Sequence, residues 1–454
     1  MESKQIIIKA LKNFKAKAET YEQTEKYYAG KHDLSFASAK FKNTFGELFR
    51  AFSLNLCPAV CDALKDKLRI TGFGMEAGDA SHVETAQEIW KRNRMPVRAD
   101  EVHKQATRNG DAYVIVWTDP EGEVTIYPQK AQRCTIEYDE ETPGKVLWAA
   151  KHWKTPDKKI RLNLYFSDRL EKFISKNTLQ SGLPENADAF EEFKDGDSET
   201  NIVEHEYEIV PVFHFANNTD IGSFGLSELC NAIPVQNALN KSVLDMLVAM
   251  EFAAFRQRWA SGIEIDYDKE GNAKPPFTAG VERLWVSENP EVKFGDFDAA
   301  DLEQFLKVKD SFRTDIAIIT FTPLYYFKQA GANFPSGESL KKSETPFTNK
   351  VTNRQESFGQ TWADVMSFAV ALENNKSSKD VRLSVKWQDP APVSEKENLE
   401  NISIKKDSLG ISVEQAQKEA NYGEADIKRM AKENADRQKE KTDNLVNAFN
   451  AGEE

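Results

Sequence analysis

Cysteine is scarce in this 454-residue chain, with Cys57, Cys61, Cys134 and Cys230 as its whole complement. Only Cys57 and Cys61 are close, four apart on an expected helix. Two thiols do not make a structural zinc site, so the four read as small buried side chains. Long apolar runs are also missing. The longest, residues 243–255, is interrupted by Asp245 and Glu251 and falls far short of the roughly 20 residues a bilayer requires, so no membrane span is expected. Residues 1–20 are rich in lysine and lack the apolar core of a signal peptide, which points to a protein made and kept in the cytoplasm. Positive charge is in deficit, with a net charge of −13. That balance excludes a general nucleic-acid glue, because non-specific affinity comes from lysine and arginine neutralising phosphates. It leaves open a protein past which DNA slides without sticking.

The signatures of chemistry are absent as well. The glycines from Gly331 to Gly337 are not followed by lysine and form no phosphate-binding loop, and no strand-glycine-helix dinucleotide fingerprint occurs. There is no Gly-x-Ser-x-Gly elbow. The histidines, His32, His82, His103, His152, His205 and His214, make no close-spaced ligand pair. Asp266, Asp268, Glu270 and Gly271 resemble the start of a calcium loop, but Phe277 stands where the bidentate carboxylate belongs, so the stretch reads as a hairpin turn. No catalytic, cofactor-binding or metal-ligating residue is assigned and no cofactor is expected. A metal-dependent nucleic-acid-processing enzyme with ligands gathered from distant positions remains the alternative, as does a generic structural or scaffolding protein.

What is present is length and pattern. The chain suffices for two or three domains with real cores, and 40% hydrophobic content is ordinary for a soluble protein. The stretch 225–344 reads as two apolar helices of matched length, each roughly 22 residues or about 33 Å. The first opens near Pro234 and carries Leu239, Val243, Met246, Leu247, Met250 and Ala254 at helical spacing. The second is capped by Asp298 and places Leu302, Phe305, Leu306, Phe312, Ile316 and Ile319 on one face until Pro323 stops it. The insert between them is rich in turn formers, so the simplest geometry is an antiparallel pair with a folded tip.

Upstream, helices are expected over the first 30 residues with Gly30 as terminator, over 46–68 with an interruption at Pro58, and over 82–93 and 98–108. The period then changes to that of strands, at 112–117, 124–127, 134–138, 146–153, 161–166 and 170–174, followed by an acidic loop at 179–200 and a strand at 209–215. Downstream, 322–337 combines prolines and glycines with Tyr325, Tyr326, Phe327 and Phe334, and a loop of that length with that aromatic load favours function. A long helix follows, bent at Pro346, with Val351, Gln355, Phe358, Trp362, Val365, Ala369 and Leu372 forming a seam that suits either a core or a contact between subunits. After a strand at 381–387, capping boxes at Ser394/Glu397 and Ser412/Gln415 start short helices. The fold class is α+β.

The order and spacing of several short runs together carry a resemblance. They are Tyr27-Tyr28-Ala29-Gly30-Lys31-His32, residues 57–73 ending in Thr71-Gly72-Phe73, Gly110-Asp111-Ala112-Tyr113-Val114-Ile115-Val116, Pro211-Val212-Phe213, Gly225-Leu226-Ser227-Glu228-Leu229, Leu239-Asn240-Lys241, Glu251-Phe252-Ala253-Ala254-Phe255, Gln257-Arg258-Trp259-Ala260 and Pro335-Ser336-Gly337-Glu338-Ser339-Leu340. From about Tyr27 to about Met430 the chain resembles the portal proteins of tailed bacteriophages, in the shorter class with a helical C-terminal crown. The resemblance implies portal architecture: wing 1–225, first stem helix 226–256, clip 257–297, second stem helix 298–321, tunnel loop 322–337, long kinked helix and wing strand 338–393, crown 394–441 and flexible tail 442–454.

It also implies a non-enzymatic ring of copies of the chain, commonly twelve, at one capsid vertex of the virion. Double-stranded DNA passes through its channel. Partners are the terminase large subunit as packaging ATPase, the major capsid and scaffolding proteins, and a head-tail adaptor. The tunnel loop would present Tyr325, Tyr326, Phe327, Lys328, Gln329 and Asn333 to DNA. On the second stem helix Asp301, Glu303, Asp310 and Asp315 would form an acidic wall that keeps DNA mobile, although a solvated helix face would carry the same charges. Trp259, Trp285, Glu288 and Glu291 of the clip would lie at contacts with neighbouring chains.

Overall fold

The computed structural model describes residues 2–51, 54–77, 79, 81–196, 199–220, 224–254, 258–263, 267–272, 290–296, 302–328, 337–374, 380–391, 395–420 and 422–450. The chain divides into two units, Met1–Pro390 and Ala391–Glu454.

In the larger unit α1 (Ser3–Tyr28), α2 (Ala39–Ala51) and α3 (Cys57–Lys65) precede strand β1 (Ile70–Ala77). Pro58 sits in the first turn of α3, where its missing N–H costs nothing, so the helical region expected over 46–68 with an interruption at Pro58 is two helices. Helices α4 (Ser81–Arg92) and α5 (Met95–Asn109) lead to β2 (Asp111–Thr118), β3 (Val124–Lys130), β4 (Cys134–Tyr138), β5 (Val146–Lys154), β6 (Ile160–Tyr165) and β7 (Arg169–Ser175). The expected loop at 179–200 contains a short strand, β8 (Phe190–Glu192), which hydrogen-bonds to β7 and buries Phe190. Strands β9 (Ile202–Glu204) and β10 (Val212–Ala216) follow.

Alternation along the strands builds four layers. Strand β2 is central in the antiparallel sheet β10-β2-β3. Its Ala112, Val114 and Val116 face a helical layer, in a core shared with Ile89 and Trp90 of α4 and Val102 and Ala106 of α5. Its Tyr113 and Ile115 point the other way, onto Ile136, Ala149, Tyr165 and Leu170 of a six-stranded sheet, ordered β4-β5-β6-β7-β8 with β9 also paired to β7. The far face of that sheet, Trp148, Ala150, Leu162, Leu164 and Phe173, packs on Ile6, Ile7, Ala10, Leu11 and Phe14 of α1. Each of the buried leucine, isoleucine and phenylalanine side chains stabilises the layer by roughly 1.5–3 kcal/mol.

The matched helices are α6 (Ala232–Ala254) and α7 (Leu302–Ile319), which pack on each other, with β11 (Arg258–Ser261) and β12 (Lys293–Asp296) antiparallel in the insert. Helix α7 turns Phe312 and Ile316 inward, but Leu306 is 47% exposed and Ile319 37%. Around the helix Ile319 lies only about 20° from Phe312 and Leu306 about 20° from buried Ala317, so their exposure reflects where along the helix they sit and not which face they are on. Helix α8 (Gly337–Glu373) is the expected long helix, with Pro346 inside it. Its seam is core within this chain: Val351, Phe358, Trp362, Val365 and Ala369 are buried against α4, α5, β10 and β13 (Arg382–Trp387). Strand β13 pairs antiparallel with β1, a strand the sequence reading did not anticipate.

The smaller unit holds α9 (Glu395–Leu409), α10 (Val413–Glu419) and α11 (Glu424–Asn450). Ser412 Oγ accepts from Gln415 N at 3.1 Å, while the Gln415 side chain turns to Glu419, so the second expected capping box is half formed. Ser394 of the first lies outside the described residues. Helix α11 runs through the positions expected to form a flexible tail, as far as Asn450.

Candidate functional site

Two glycine-led runs that are distant in sequence meet in the interior. Gly110 ends α5 with φ +93°, a left-handed value that glycine adopts without steric cost, and hands the chain to β2. Gly225 lies against it so closely that a Cβ there would sit 1.9 Å from Gly110 O and 2.5 Å from Asn217 N. Asn217 N donates to Gly110 O at 2.7 Å and Leu226 N to Asn217 O at 2.6 Å, fastening the end of β10 and the start of the helical pair to the α5–β2 corner.

Polar side chains complete this junction. Asp111 is fully buried and accepts from Tyr21 Oη of α1 at 2.6 Å, Gly225 N at 2.7 Å and His214 Nε2 at 2.7 Å. Glu228 is largely enclosed, its side chain 9% exposed. It accepts from Asn217 Nδ2 at 3.0 Å and Arg354 Nη2 at 3.2 Å, and it pairs with Lys350. Arg354 Nε also donates to Asn217 Oδ1 at 2.7 Å, and Lys350 Nζ to Thr320 O at 2.8 Å. Burial alone would push the Glu228 carboxyl up, but Lys350 and Arg354 overcome it and hold it below the usual carboxylate range. Through Glu228 and Lys350 the entry to α6, the end of α7 and the body of α8 are tied at one point. In the sequence Gly110, Asp111, Gly225 and Glu228 belong to separate runs. Their meeting was legible only as two glycines beside two carboxylates, and Asn217, Lys350 and Arg354 were missed.

The positions expected to act on DNA fall in three groups. Leu324–Tyr326 is a single 3-10 turn in which the Tyr325 and Tyr326 rings stack at 4.7 Å. The Tyr325 hydroxyl bonds to Glu344 of α8, and burial with these neighbours raises its pKa. Phe327 is 7% exposed and packs with Tyr27, Cys61, Leu239 and Ile316, so its ring belongs to the helical core instead of projecting from it. A large apolar ring immediately after this turn gains more from that core than from water. Lys328 Nζ lies 2.8 Å from Asp310. Gln329 and Asn333 lie outside the described residues.

On α7, Glu303 pairs with Lys307 at 3.3 Å and Asp310 with Arg313 at 3.4 Å as well as Lys328, so two of the expected wall acids have cations of their own. Helical geometry puts Glu303 and Asp310 on one flank and the exposed Asp315 on another, so the three do not share a face. Asp301 lies outside the described residues, as do Trp285 and Glu288. Trp259 is 39% exposed, its ring laid over the backbone of its cross-strand partner Gly295, and Glu291 is exposed nearby. Asp268 accepts from Glu270 N at 2.9 Å and Asn272 N at 2.8 Å, a turn held by its own backbone. An unforeseen feature is the apolar exposure along and after α7: Val308 42%, Ile318 65% and Phe321 60%, the last with φ +52°.

Among the described residues no group of three or more His, Cys, Asp or Glu is placed to hold a metal ion, and no helix is long and apolar enough to cross a membrane. In comparisons with known proteins, the portal protein of Mycobacterium phage L5 is 27% identical over 196 residues, 42% of this chain and 40% of that protein. The portal protein of Mycobacterium phage D29 is 28% identical over 189 residues, 40% and 39% of the two chains. The matches thus span about two fifths of those relatives' length. Among solved structures, a chain from the "Neck of native GTA particle computed with C12 symmetry" overlaps with a TM-score of 0.44 at 11% identity, covering 84% of this chain and 93% of that one. A chain from the "Neck of empty GTA particle computed with C6 symmetry" gives 0.46 at 12%, covering 81% and 89%. The family described as "Phage portal protein, SPP1 Gp6-like" matches residues 9–440, nearly the whole length, and the chain belongs to that family.

Proposed function

We propose that copies of this chain close into a ring at one vertex of a phage capsid, and that double-stranded DNA enters and leaves through its lumen. Membership of the portal family over residues 9–440 carries the reading. The apolar side chains of Leu306, Val308, Ile318 and Phe321 support it, since a second copy packed beside α7 would remove them from water. In this reading α6 and α7 are the stem, the β11/β12 insert is the clip, and the smaller unit is the crown. The chain itself performs no catalysis. The packaging ATPase supplies the energy, and capsid, scaffolding and adaptor proteins bind the outer surfaces.

Within the loop that follows α7, Tyr325 and Lys328 are the residues we assign to DNA contact, together with Gln329 and Asn333. Phe327 anchors the loop to the core. Acidic residues of α7 weaken the hold on phosphates, with Asp315 the strongest contributor because Glu303 and Asp310 are already paired. Native mass spectrometry with electron-microscope class averages tests the ring. Closed rings with a central opening are expected, and a chain that stays monomeric beside its scaffolding and capsid proteins refutes it. For the loop, Tyr325→Ala with Lys328→Ala should leave assembly intact and lower DNA packaging or retention. Unchanged phage yield removes the assignment.

A further inference from the structure

The six-stranded sheet carries a concentration of hydrogen-bond donors that the portal reading does not use. Lys151, Asn163 and Lys172 stand directly opposite one another on β5, β6 and β7, and Trp153 and Arg161 form the next cross-strand pair. All five lie on the face that continues beyond the contact with β2. The Arg161 guanidinium is held between two rings, 3.2 Å from the centroid of Phe193 and 5.3 Å from that of Trp153, and the Lys151 ammonium is 5.3 Å from Trp153. A single carboxylate, Asp195, serves both Arg161, at 3.7 Å, and Lys172. Lys151 has no carboxylate partner among the described residues, and burial, with Arg133 nearby, lowers its pKa.

Two buried atoms here lack partners, Arg161 Nε and Asn163 Oδ1. Asn163 is only 7% exposed and bonds to the Tyr165 hydroxyl. If its amide is turned over, Tyr165 donates to Oδ1 and the NH2 group takes the unpartnered position. Ammonium, guanidinium and amide donors then converge on one place, which is the chemistry of carboxylate recognition.

We propose that Lys151, Arg161, Asn163 and Lys172 receive the acidic turn of Asp139, Glu140 and Glu141 from a second copy of this chain. That turn joins β4 to β5 at the opposite end of the same sheet, about 20 Å from the cluster at 3.3 Å per residue. Glu140 and Glu141 are exposed, and Asp139 is engaged by Glu141 N and Lys145. The turn is flanked by Tyr138 and Leu147, 37% and 42% exposed, so it offers carboxylates with apolar surface to a site that offers cations with Trp153 and Phe193. A ring needs a heterologous interface, in which two different patches of one chain meet, and complementary patches at the two ends of one sheet supply it. The contact rests on the ring reading and adds its chemistry and register.

Charge reversal tests it. Lys151→Glu with Lys172→Glu, and separately Glu140→Lys with Glu141→Lys, should each raise the protein concentration needed for half-assembly by roughly tenfold or more, with circular dichroism unchanged. The chain carrying all four substitutions should assemble as the wild type does, because every interface is complementary again. An equimolar mixture of the two double variants should form mixed rings. If wild type and both double variants form rings at the same concentration, or if the quadruple variant stays as defective as the doubles, the contact is refuted while the ring stands. A wild-type chain that never assembles overturns both.

Discussion

Glu228→Gln is the sharpest probe of how the helical pair is held. The side chains of Glu228, Lys350 and Arg354 are 9%, 12% and 10% exposed, so the trio is out of water. One carboxylate balances two cations, and removing its charge leaves both uncompensated. Breaking a buried ion pair by deleting one partner costs about 3–5 kcal/mol. The glutamine oxygen still accepts from Arg354 or Asn217, which restores about 1 kcal/mol, so the net loss is about 2–4 kcal/mol. Urea unfolding followed by tryptophan fluorescence reads it, since Trp90 and Trp362 lie in the core that α8 shares with α4 and α5. Amide exchange at Leu226, whose N–H donates to Asn217 O, reads it locally. The sign with pH follows from the lowered pKa. The Glu228 contribution is complete above the ordinary carboxylate range and is lost as pH falls through the lower folded value. Wild type and variant should therefore converge only in acid. A loss under about 0.5 kcal/mol at neutral pH, the scale of an exposed pair, would refute the reasoning.

Other outcomes follow from the same packing. Gly225→Ala places a methyl against Gly110 O and Asn217 N, backbone atoms that cannot swing aside, and should cost about 1–3 kcal/mol or more; an unchanged thermal midpoint contradicts that packing. His103 and His152 are pushed down by burial to about 3 and about 4. Their contribution is whole above about pH 6.5 and declines as pH falls, by at most about 1.4 kcal/mol per histidine per pH unit, so His152→Gln should flatten the stability profile between pH 6.5 and 5. Cys57, Cys61 and Cys134 are buried with raised pKa values, about 12 for Cys57 and Cys134, and Cys230 is exposed. A thiol reagent should thus titrate Cys230 rapidly in the native monomer and the other three only on unfolding; more than one fast thiol would contradict their burial.

The sequence by itself determined whatever depends on period and punctuation. The alternation from 112 to 174 set the strands nearly to the residue, Gly30 ended α1, and the spacing of Leu239 and Val243 and of Phe312 and Ile316 set the matched helices. These signals are local, and neighbours within a few residues suffice to produce them. Strand β1 escaped because two glycines and a charge dilute its pattern, and it is a strand only because β13, more than 300 residues later, supplies its hydrogen bonds. The acidic segment near 190 likewise gained a strand from the free edge of β7. The candidate site shows the same division. Spacing put Tyr325 and Lys328 at the right end of the second helix, but only tertiary structure decided that Phe327 is core, that Glu303 and Asp310 are paired, and that Gly110 and Gly225 touch. Composition records which charges and rings a chain owns. Which of them face one another depends on contacts between positions far apart in sequence, and these exist only once the layers have packed.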